Sequence, residues 1–418
     1  MRATITRILV GRGLRSVADG FVALLLPVHL GRLGYGALEV GLLATATLLG
    51  SALLTLALGY AGHRIRLRQG LLAAALLMAA TGLGFAGLDA FWPLLLVAFV
   101  GTVNPSSGDV SVFLPLEHTV IAHLAPDRDR TAIFARYSLV GSLGTALGAL
   151  AAGGLEWIDR LVPPGTATQT MFLAYGAIGL ATWWLYSGLP DVRPPTEHRT
   201  VRLGPSRRRV YGLAALFSID SFGGGFVVNS LLALWLFERF GLSIATTGSI
   251  FFATGLCSAV SYLIAVPLSR RFGLINTMVF THLPSSVLLI LAAVAPSLPL
   301  AVGFLVLRSL LSQMDVPTRS SYVMAIVEPA ERPAAASLTA VPRSLAAALS
   351  PALAGWMLAA TPFGWPLICA GVLKIGYDLA LLRQFRAVRP PEEMRVEEMG
   401  AEEKAAGSTV PSAGGSTK

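Results

Sequence analysis

Apolar runs near twenty residues long recur along the 418-residue chain, parted by short polar or Pro- and Gly-rich stretches. Twelve are distinguishable, at 14–34, 39–59, 70–88, 92–123, 131–156, 168–189, 210–237, 243–266, 273–295, 298–326, 333–360 and 364–386. A helix needs about 20 apolar residues to cross about 30 Å of hydrocarbon. No short alternating strands of the kind a membrane barrel requires interrupt the pattern. The chain is therefore expected to be an all-α polytopic membrane protein. A Pro- and Arg-rich stretch at 190–209 predicts a cytoplasmic linker between six-helix halves at 1–189 and 210–386, and the Glu/Gly/Ser-rich residues 387–418 predict a disordered cytoplasmic tail.

The fourth run contains "VNPSSGDVSVFLPLEH", Val103 to His118. Were this a loop, each flanking apolar piece would be about a dozen residues, too short to span. It is expected inside the fourth span, as a helix broken at Pro105, which lacks an N–H, and loosened at Gly108.

Composition agrees: 54% hydrophobic and 13% charged, about half the charge of a soluble domain, with a mean hydropathy of +0.67. The net charge of +9 comes from arginines whose placement matters more than their number. With the N-terminus cytoplasmic, the inner face receives 21 arginines (among them Arg2, Arg64, Arg128, Arg207 and Arg270) and the outer face only Arg32, Arg160 and Arg239. That is the positive-inside signature of a cell (inner or plasma) membrane protein, and it disfavours a nucleic-acid partner. Cys257 and Cys369 read as small hydrophobes, and no residue pattern calls for a metal or cofactor. The N-terminus reads as a retained first helix, since no A-x-A-like cleavage site follows it.

The chain also repeats itself at an offset near 202 residues. "VADGF" (Val17–Phe21) matches "SIDSF" (Ser218–Phe222), and "GSLGTALGALAAG" (Gly141–Gly153) parallels "RSLAAALSPALAG" (Arg343–Gly355). Pro115 then aligns with Pro317, and Glu117 with Arg319. Internal repeats of this kind are typical of secondary transporters. After the second span, "GYAGHRIRLR" (Gly59–Arg68) is similar to the G-x-x-x-D-R-x-G-R-R loop of the major facilitator superfamily. It keeps Gly59, Arg64 and Arg68, with His63 in place of the Asp. "LSRRFG" (Leu268–Gly273) is its counterpart, keeping Arg271 and Gly273. "APDRDRTAIFARYSLVGSLGTALG" resembles the family's approach to the fifth helix. The resemblance covers residues 10–386 and implies two pseudo-symmetric six-helix bundles, with spans 1, 4, 7 and 10 around a central cavity. Gly59, Arg64, Arg68, Arg271 and Gly273 become gate candidates. The Gly-Pro pair of the family's drug–proton antiporters is absent from the fifth span, where Gly148-Ala149 stands.

A charge in hydrocarbon costs about 2.5–3.5 kcal/mol on insertion scales, so each one calls for a reason. In the tenth span Arg308, Ser312, Asp315, Arg319 and Tyr322 share one face at about 100° per residue. They read as a cavity-lining stripe for a polar or anionic substrate, or else as a structural Asp315–Arg319 pair. The fourth span contributes Asn104, Ser107, Ser111 and His118 as lining candidates, with Asp109 and Glu117 for proton coupling. A Glu117–Arg319 ion pair between the halves and an intra-bundle pairing stand as alternatives. Asp19 and Asp220 read as gates or caps, and Asn229, after "FGGG" (Phe222–Gly225), as a substrate donor or a helix contact. Lys374 and Asp378 are expected to neutralise each other at i, i+4.

Together these features predict a secondary active transporter, monomeric in the lipid bilayer, moving a small molecule and coupled to protons. A facilitative uniporter and a non-transporting receptor or assembly factor on the same scaffold remain alternatives. An enzyme is disfavoured by the absence of a nucleophile elbow, His-Glu-x-x-His or phosphate loop.

Overall fold

A segment in hydrocarbon must satisfy its backbone N–H and C=O groups internally, and helices do so within one chain. In the computed structural model, which describes residues 2–61, 66–106, 111–124, 127–163, 165–191, 203–328, 331–386 and 388, every regular element among those residues is helical. The elements are α1 (Arg2–Arg32), α2 (Ala37–Ala61), α3 (Leu67–Gly87), α4 (Phe91–Val100), α5 (Phe113–Leu124), α6 (Asp127–Ala152), α7 (Leu155–Ile158) and α8 (Ala167–Ser187). They continue with α9 (Arg207–Gly225), α10 (Asn229–Phe240), α11 (Ile244–Phe272), α12 (Leu274–Val294), α13 (Leu298–Leu311), α14 (Asp315–Ile326), α15 (Arg332–Ala360) and α16 (Trp365–Phe385).

Eight segments are long and apolar enough to cross a membrane, when α9 with α10 and α13 with α14 each count as one. With α1, the α4–α5 pair, α8 and α15 they make the twelve spans, arranged as two six-helix bundles. Large apolar side chains point outward, Trp92 at 75% exposure and Phe280 at 64%, as a lipid-facing surface requires and a soluble monomer rarely tolerates. The fourth span is broken as expected. The tenth is broken as well: a turn at 312–314 separates α13 from α14, so the five-residue stripe does not run along one continuous helix.

Small residues let the helices approach. A Cβ on Gly148 of α6 would fall on the Val17 carbonyl of α1, and one on Gly144 would sit 2.8 Å from Ser16 Cβ. Across the halves, the Cα atom of Gly355 (α15) lies 2.8 Å from where a Cβ on Gly41 (α2) would sit. Ala352 N donates to Thr45 Oγ1 at 2.9 Å, and a Cβ on Gly248 (α11) would meet the Ala149 carbonyl of α6. These approaches share the end of the molecule at which α1 finishes. At the fourth-span break, Ser230 N of α10 donates to Pro105 O at 3.1 Å, joining the halves through backbone.

Ahead of α9, the Gly204 N–H donates to Glu331, just before α15. The Ser206 hydroxyl and this N–H hold the Glu331 carboxyl below the usual glutamate range. A depressed carboxyl stabilises the fold above its ordinary value and loses that contribution as pH falls through its folded value. Glu331→Gln should therefore lower the melting temperature in detergent at neutral pH, and the gap to wild type should close as the solution is acidified below the ordinary 4.5. Gly148→Leu should cost about 1–3 kcal/mol or more, because a carbonyl cannot yield to overpacking as a side chain does. Loss of the monodisperse peak in size-exclusion chromatography reads this out, and an unchanged profile would contradict the α1–α6 packing.

Candidate functional site

A cavity of about 330 Å³ lies between the halves. Its charged lining residues are Arg12 from α1, Arg308 from α13 and Arg343 from α15, and no Asp or Glu is among the described lining residues. The Arg308 guanidinium has no hydrogen-bond or ion-pair partner among the described residues, and its Nε is buried. Hydroxyls recur in helical register on two facing helices: Ser138, Ser142 and Thr145 on α6, and Thr254, Ser258 and Tyr262 on α11.

Most membrane-helix hydroxyls turn back onto the preceding turn of their own helix. Thr277 does so at 2.8 Å, Thr281 at 2.7 Å and Ser286 at 2.9 Å. Ser138, Ser142, Thr145 and Ser258, by contrast, make no side-chain hydrogen bond among the described residues and leave their donors to the cavity. Asn229 also lines it. The binding surface is thus basic and rich in donors.

A larger hollow of about 460 Å³ sits at the rim of the N-terminal half, lined by His29, Arg32, Asp159 and Thr168. Its charges are already matched, since Arg32 meets Asp159 at 2.5 Å.

The remaining buried charges form two clusters. In the N-terminal half, Arg15 of α1 reaches both oxygens of Glu117 of α5, at 2.5 and 2.6 Å. The Tyr137 and Tyr186 hydroxyls donate to the same carboxylate, which is 0% exposed. Arg15 also stacks over Phe113 at 3.9 Å, and Asp19 is buried one turn further along α1.

In the C-terminal half Asp220 of α9 is the hub. Arg319 of α14 meets its Oδ2 at 2.8 Å and Lys374 of α16 its Oδ1 at 2.7 Å. His282 Nε2 of α12 lies 3.6 Å from the same Oδ1. Arg319 also pairs with Asp315, and His282 Nδ1 lies 3.0 Å from both oxygens of Asp378. Gly223 and Gly224 lie against Lys374 at ordinary contact distance. A Cβ on Gly223 would be 3.4 Å from Lys374 Cγ, and one on Gly224 3.8 Å from its Nζ.

Some expectations change here. Of the two alternatives for Glu117 and Arg319, the intra-bundle pairing is the one present, Glu117 with Arg15 and Arg319 with Asp220 and with Asp315. Lys374 and Asp378 turn to different partners, because Asp220 and His282 supply better-placed ones. Asp220 lies inside α9 rather than capping it. The tenth-span residues divide at the break: Arg308 and Ser312 line the cavity, while Asp315 and Arg319 belong to the C-terminal cluster. Tyr322 is buried and donates to Val388 O at 2.9 Å.

In the fourth span, Asn104 Oδ1 accepts from Ser106 N at 3.1 Å and Ser106 Oγ at 2.7 Å, closing a turn at the break. Ser111 Oγ accepts from Phe113 N at 3.3 Å at the start of α5. His118 packs edge-on against Phe134 and Tyr137. Ser107, Asp109 and Arg64 lie outside the described residues. Gly59 closes α2, Arg68 opens α3, and Arg271 lies over the Phe272 ring beside Gly273, which joins α11 to α12 with φ of 83°. Arg15, Tyr137, Tyr186 and His282 were not singled out by sequence reasoning. The cost of a buried polar group in hydrocarbon was the signal for His282.

A family model described as Major Facilitator Superfamily matches residues 8–220 and 212–411. The chain is 26% identical to the uncharacterized membrane protein YJR124C of Saccharomyces cerevisiae, over 90% of this chain and 92% of that one. Among solved structures, a D-xylose–proton symporter aligns with a TM-score of 0.71 at 16% identity, covering 90% of this chain and 97% of that one. A bacterial homologue of the human lysosomal transporter Spinster, inward-facing and occupied, aligns at 0.70 and 14% identity over 91% and 96%. The human organic anion transporter MFSD10 aligns at 0.63 and 19% identity over 91% and 99%. At these identities the structures establish the shared fold.

Removing one member of a buried ion pair strands its partner at a cost of about 3–5 kcal/mol. Asp220→Asn should destabilise the protein by that amount, since it leaves both Arg319 and Lys374 short of a counter-charge. Lys374→Met should cost less, because Arg319 still holds Asp220. Melting of the purified variants checks the order, and the reverse order would mean that Asp220 is not the hub.

Proposed function

The chain belongs to the major facilitator superfamily, and on that premise we propose that it is a secondary active transporter, not an enzyme, that moves a small polar anion by alternating access coupled to protons. The observation that carries this reading is Arg308, a guanidinium with no hydrogen-bond or ion-pair partner among the described residues, facing a cavity that has hydroxyl donors and no described carboxylate. Keeping an arginine so placed is costly unless a ligand anion completes it, and guanidinium binds carboxylate and phosphate bidentately. The hydroxyls of α6 and α11 suit a hydroxylated body better than a purely apolar one, and they stand on opposite halves. A ligand engaging both ladders draws the halves together around itself, as rocking about a central site requires.

Taking residues 1–189 and 210–386 as the rocking units, the approaches at Gly41–Gly355 and Gly248–Ala149 close one end in this conformation. The arginine distribution supports placing both termini in the cytoplasm of a cell carrying this protein in its inner or plasma membrane. The closed end is then the outer one. The chain is read as a monomer in the bilayer.

A ligand that binds the folded state raises apparent stability. Sugar acids, dicarboxylates and sugar phosphates should raise the melting temperature of the wild type, while matched neutral sugars should not. Arg308→Gln should weaken that effect about 10- to 100-fold, the worth of about 1.5–3 kcal/mol for a hydrogen bond to a charged group. Stabilisation by neutral sugars or cations alone would sink the anion reading. Uptake of the stabilising anion into proteoliposomes should rise with an inward proton gradient; uptake indifferent to the gradient would make the protein a uniporter.

A further inference from the structure

The C-terminal cluster contains three carboxylates, Asp220, Asp315 and Asp378, against two fixed cations, Arg319 and Lys374. All five are buried, at 0 to 8% exposure. The third positive charge near Asp220 is Arg308, whose guanidinium faces the cavity and whose carbonyl accepts from Ser285 Oγ of α12 at 3.4 Å. While Arg308 has no ligand, its charge offsets the extra carboxylate. An anion on Arg308 cancels that compensation and leaves a net negative cluster in low dielectric, where uncompensated charge is most costly.

His282 is placed to make up the difference. Both of its ring nitrogens face carboxylates, Nδ1 at 3.0 Å from Asp378 and Nε2 at 3.6 Å from Asp220. A neutral imidazole has one donor and one acceptor nitrogen, so one lone pair would face a carboxylate oxygen; with a second ring proton both nitrogens donate. The groups facing His282 are Asp378 and Tyr377 from α16 and Asp220 from α9; the cations Lys374 of α16 and Arg319 of α14 are held by Asp220 behind it, Arg319 also by Asp315. Among the described residues α11, also packed on α12, brings it no ion-pair partner.

Resting on the anion reading above, we propose that this cluster is the binding site of the co-transported proton, taken up by His282 between Asp378 and Asp220 when an anion neutralises Arg308. The chemistry is a linked binding of one proton and one anion, with no bond broken. Asp220 and Arg319 sit on α9 and α14, each one member of a broken span, so the change in charge acts where the spans are jointed.

The test needs no substrate. Full-length protein carrying ¹⁵N-histidine, in nanodiscs, is titrated by NMR, and the His282 signals are those of the six histidines missing from His282→Gln. Asp378→Asn should weaken proton binding at His282 about tenfold or more. Arg308→Gln, which removes the compensating charge as an anion would, should strengthen it severalfold. Should His282→Gln not fold, the opposite responses to the other two variants still single out one histidine. A His282 ring that stays neutral throughout the titration, or one indifferent to both substitutions, overturns the proposal. The melting panel reports on Arg308 separately. A working panel with an unresponsive His282 defeats the proton site alone, and a failed panel with a responsive His282 defeats the anion reading.

Discussion

A charge buried in hydrocarbon must find a counter-charge, and the architecture follows from how this chain meets that demand. Glu117 draws Arg15, Tyr137 and Tyr186 from three helices onto one carboxylate. Asp220 draws Arg319 and Lys374 from two more and lies close to His282. Each cluster ties the helices of its own bundle together from within. Among the described residues the contacts between the halves include small residues packed together, Thr45 Oγ1 accepting from Ala352 N, Glu156 Oε1 accepting from Ala245 N and the Ser230–Pro105 hydrogen bond. The ion pairs of the two clusters lie inside the halves. Arg308 is the exception, and an exception to so costly a rule is where ligand chemistry is expected.

The breaks in spans 4, 7 and 10 share a design. In α5 and α14 the third residue is a proline, Pro115 and Pro317, where the missing N–H falls in the first turn and costs no helical hydrogen bond. The preceding residues are then free to leave the helix and present Ser106, Ser312 and Gln313 to the cavity. In the seventh span the break follows three glycines, the last of which, Gly225, trades helix propensity for the close approach of α15.

Much of this was legible in the sequence. Hydrophobic length, arginine asymmetry and the repeat point to twelve spans and two halves because membrane physics writes itself in long, redundant signals. The Pro105 break was legible for the same reason that Pro317 should have been: a proline inside an apolar run marks a restart. Pro317 served only to align the repeats, and the helical stripe across it hid the turn at 312–314. The pairings were not legible. Sequence spacing ranks neighbours on one helix, so Lys374 looked committed to Asp378, whereas packing brought Asp220 and His282 from other spans. His282 escaped because a histidine carries no formal charge, although its burial beside two carboxylates marks it as plainly as an aspartate.

The repeat adds one more step. Glu117 and Arg319 occupy equivalent positions with opposite charge, and their partners come from equivalent spans, Arg15 from the first and Asp220 from the seventh. The same structural pair is thus built twice with its polarity reversed. Pseudo-symmetry places equivalent residues at matching depths on opposite sides of the cavity, so the two cannot be each other's partners. The reversal also frees the halves to differ. In the N-terminal pair one base and one acid cancel, and two hydroxyls donate to the same carboxylate. In the C-terminal half the hub is an acid, and acids can be multiplied around a base: Asp315 and Asp378 bring the count past what Arg319 and Lys374 neutralise. One repeat thereby holds a matched ion pair, and the other a cluster with more carboxylates than its two fixed cations neutralise. A transporter that couples two cargoes needs that kind of asymmetry, and a duplicated fold can acquire it by inverting a single ion pair.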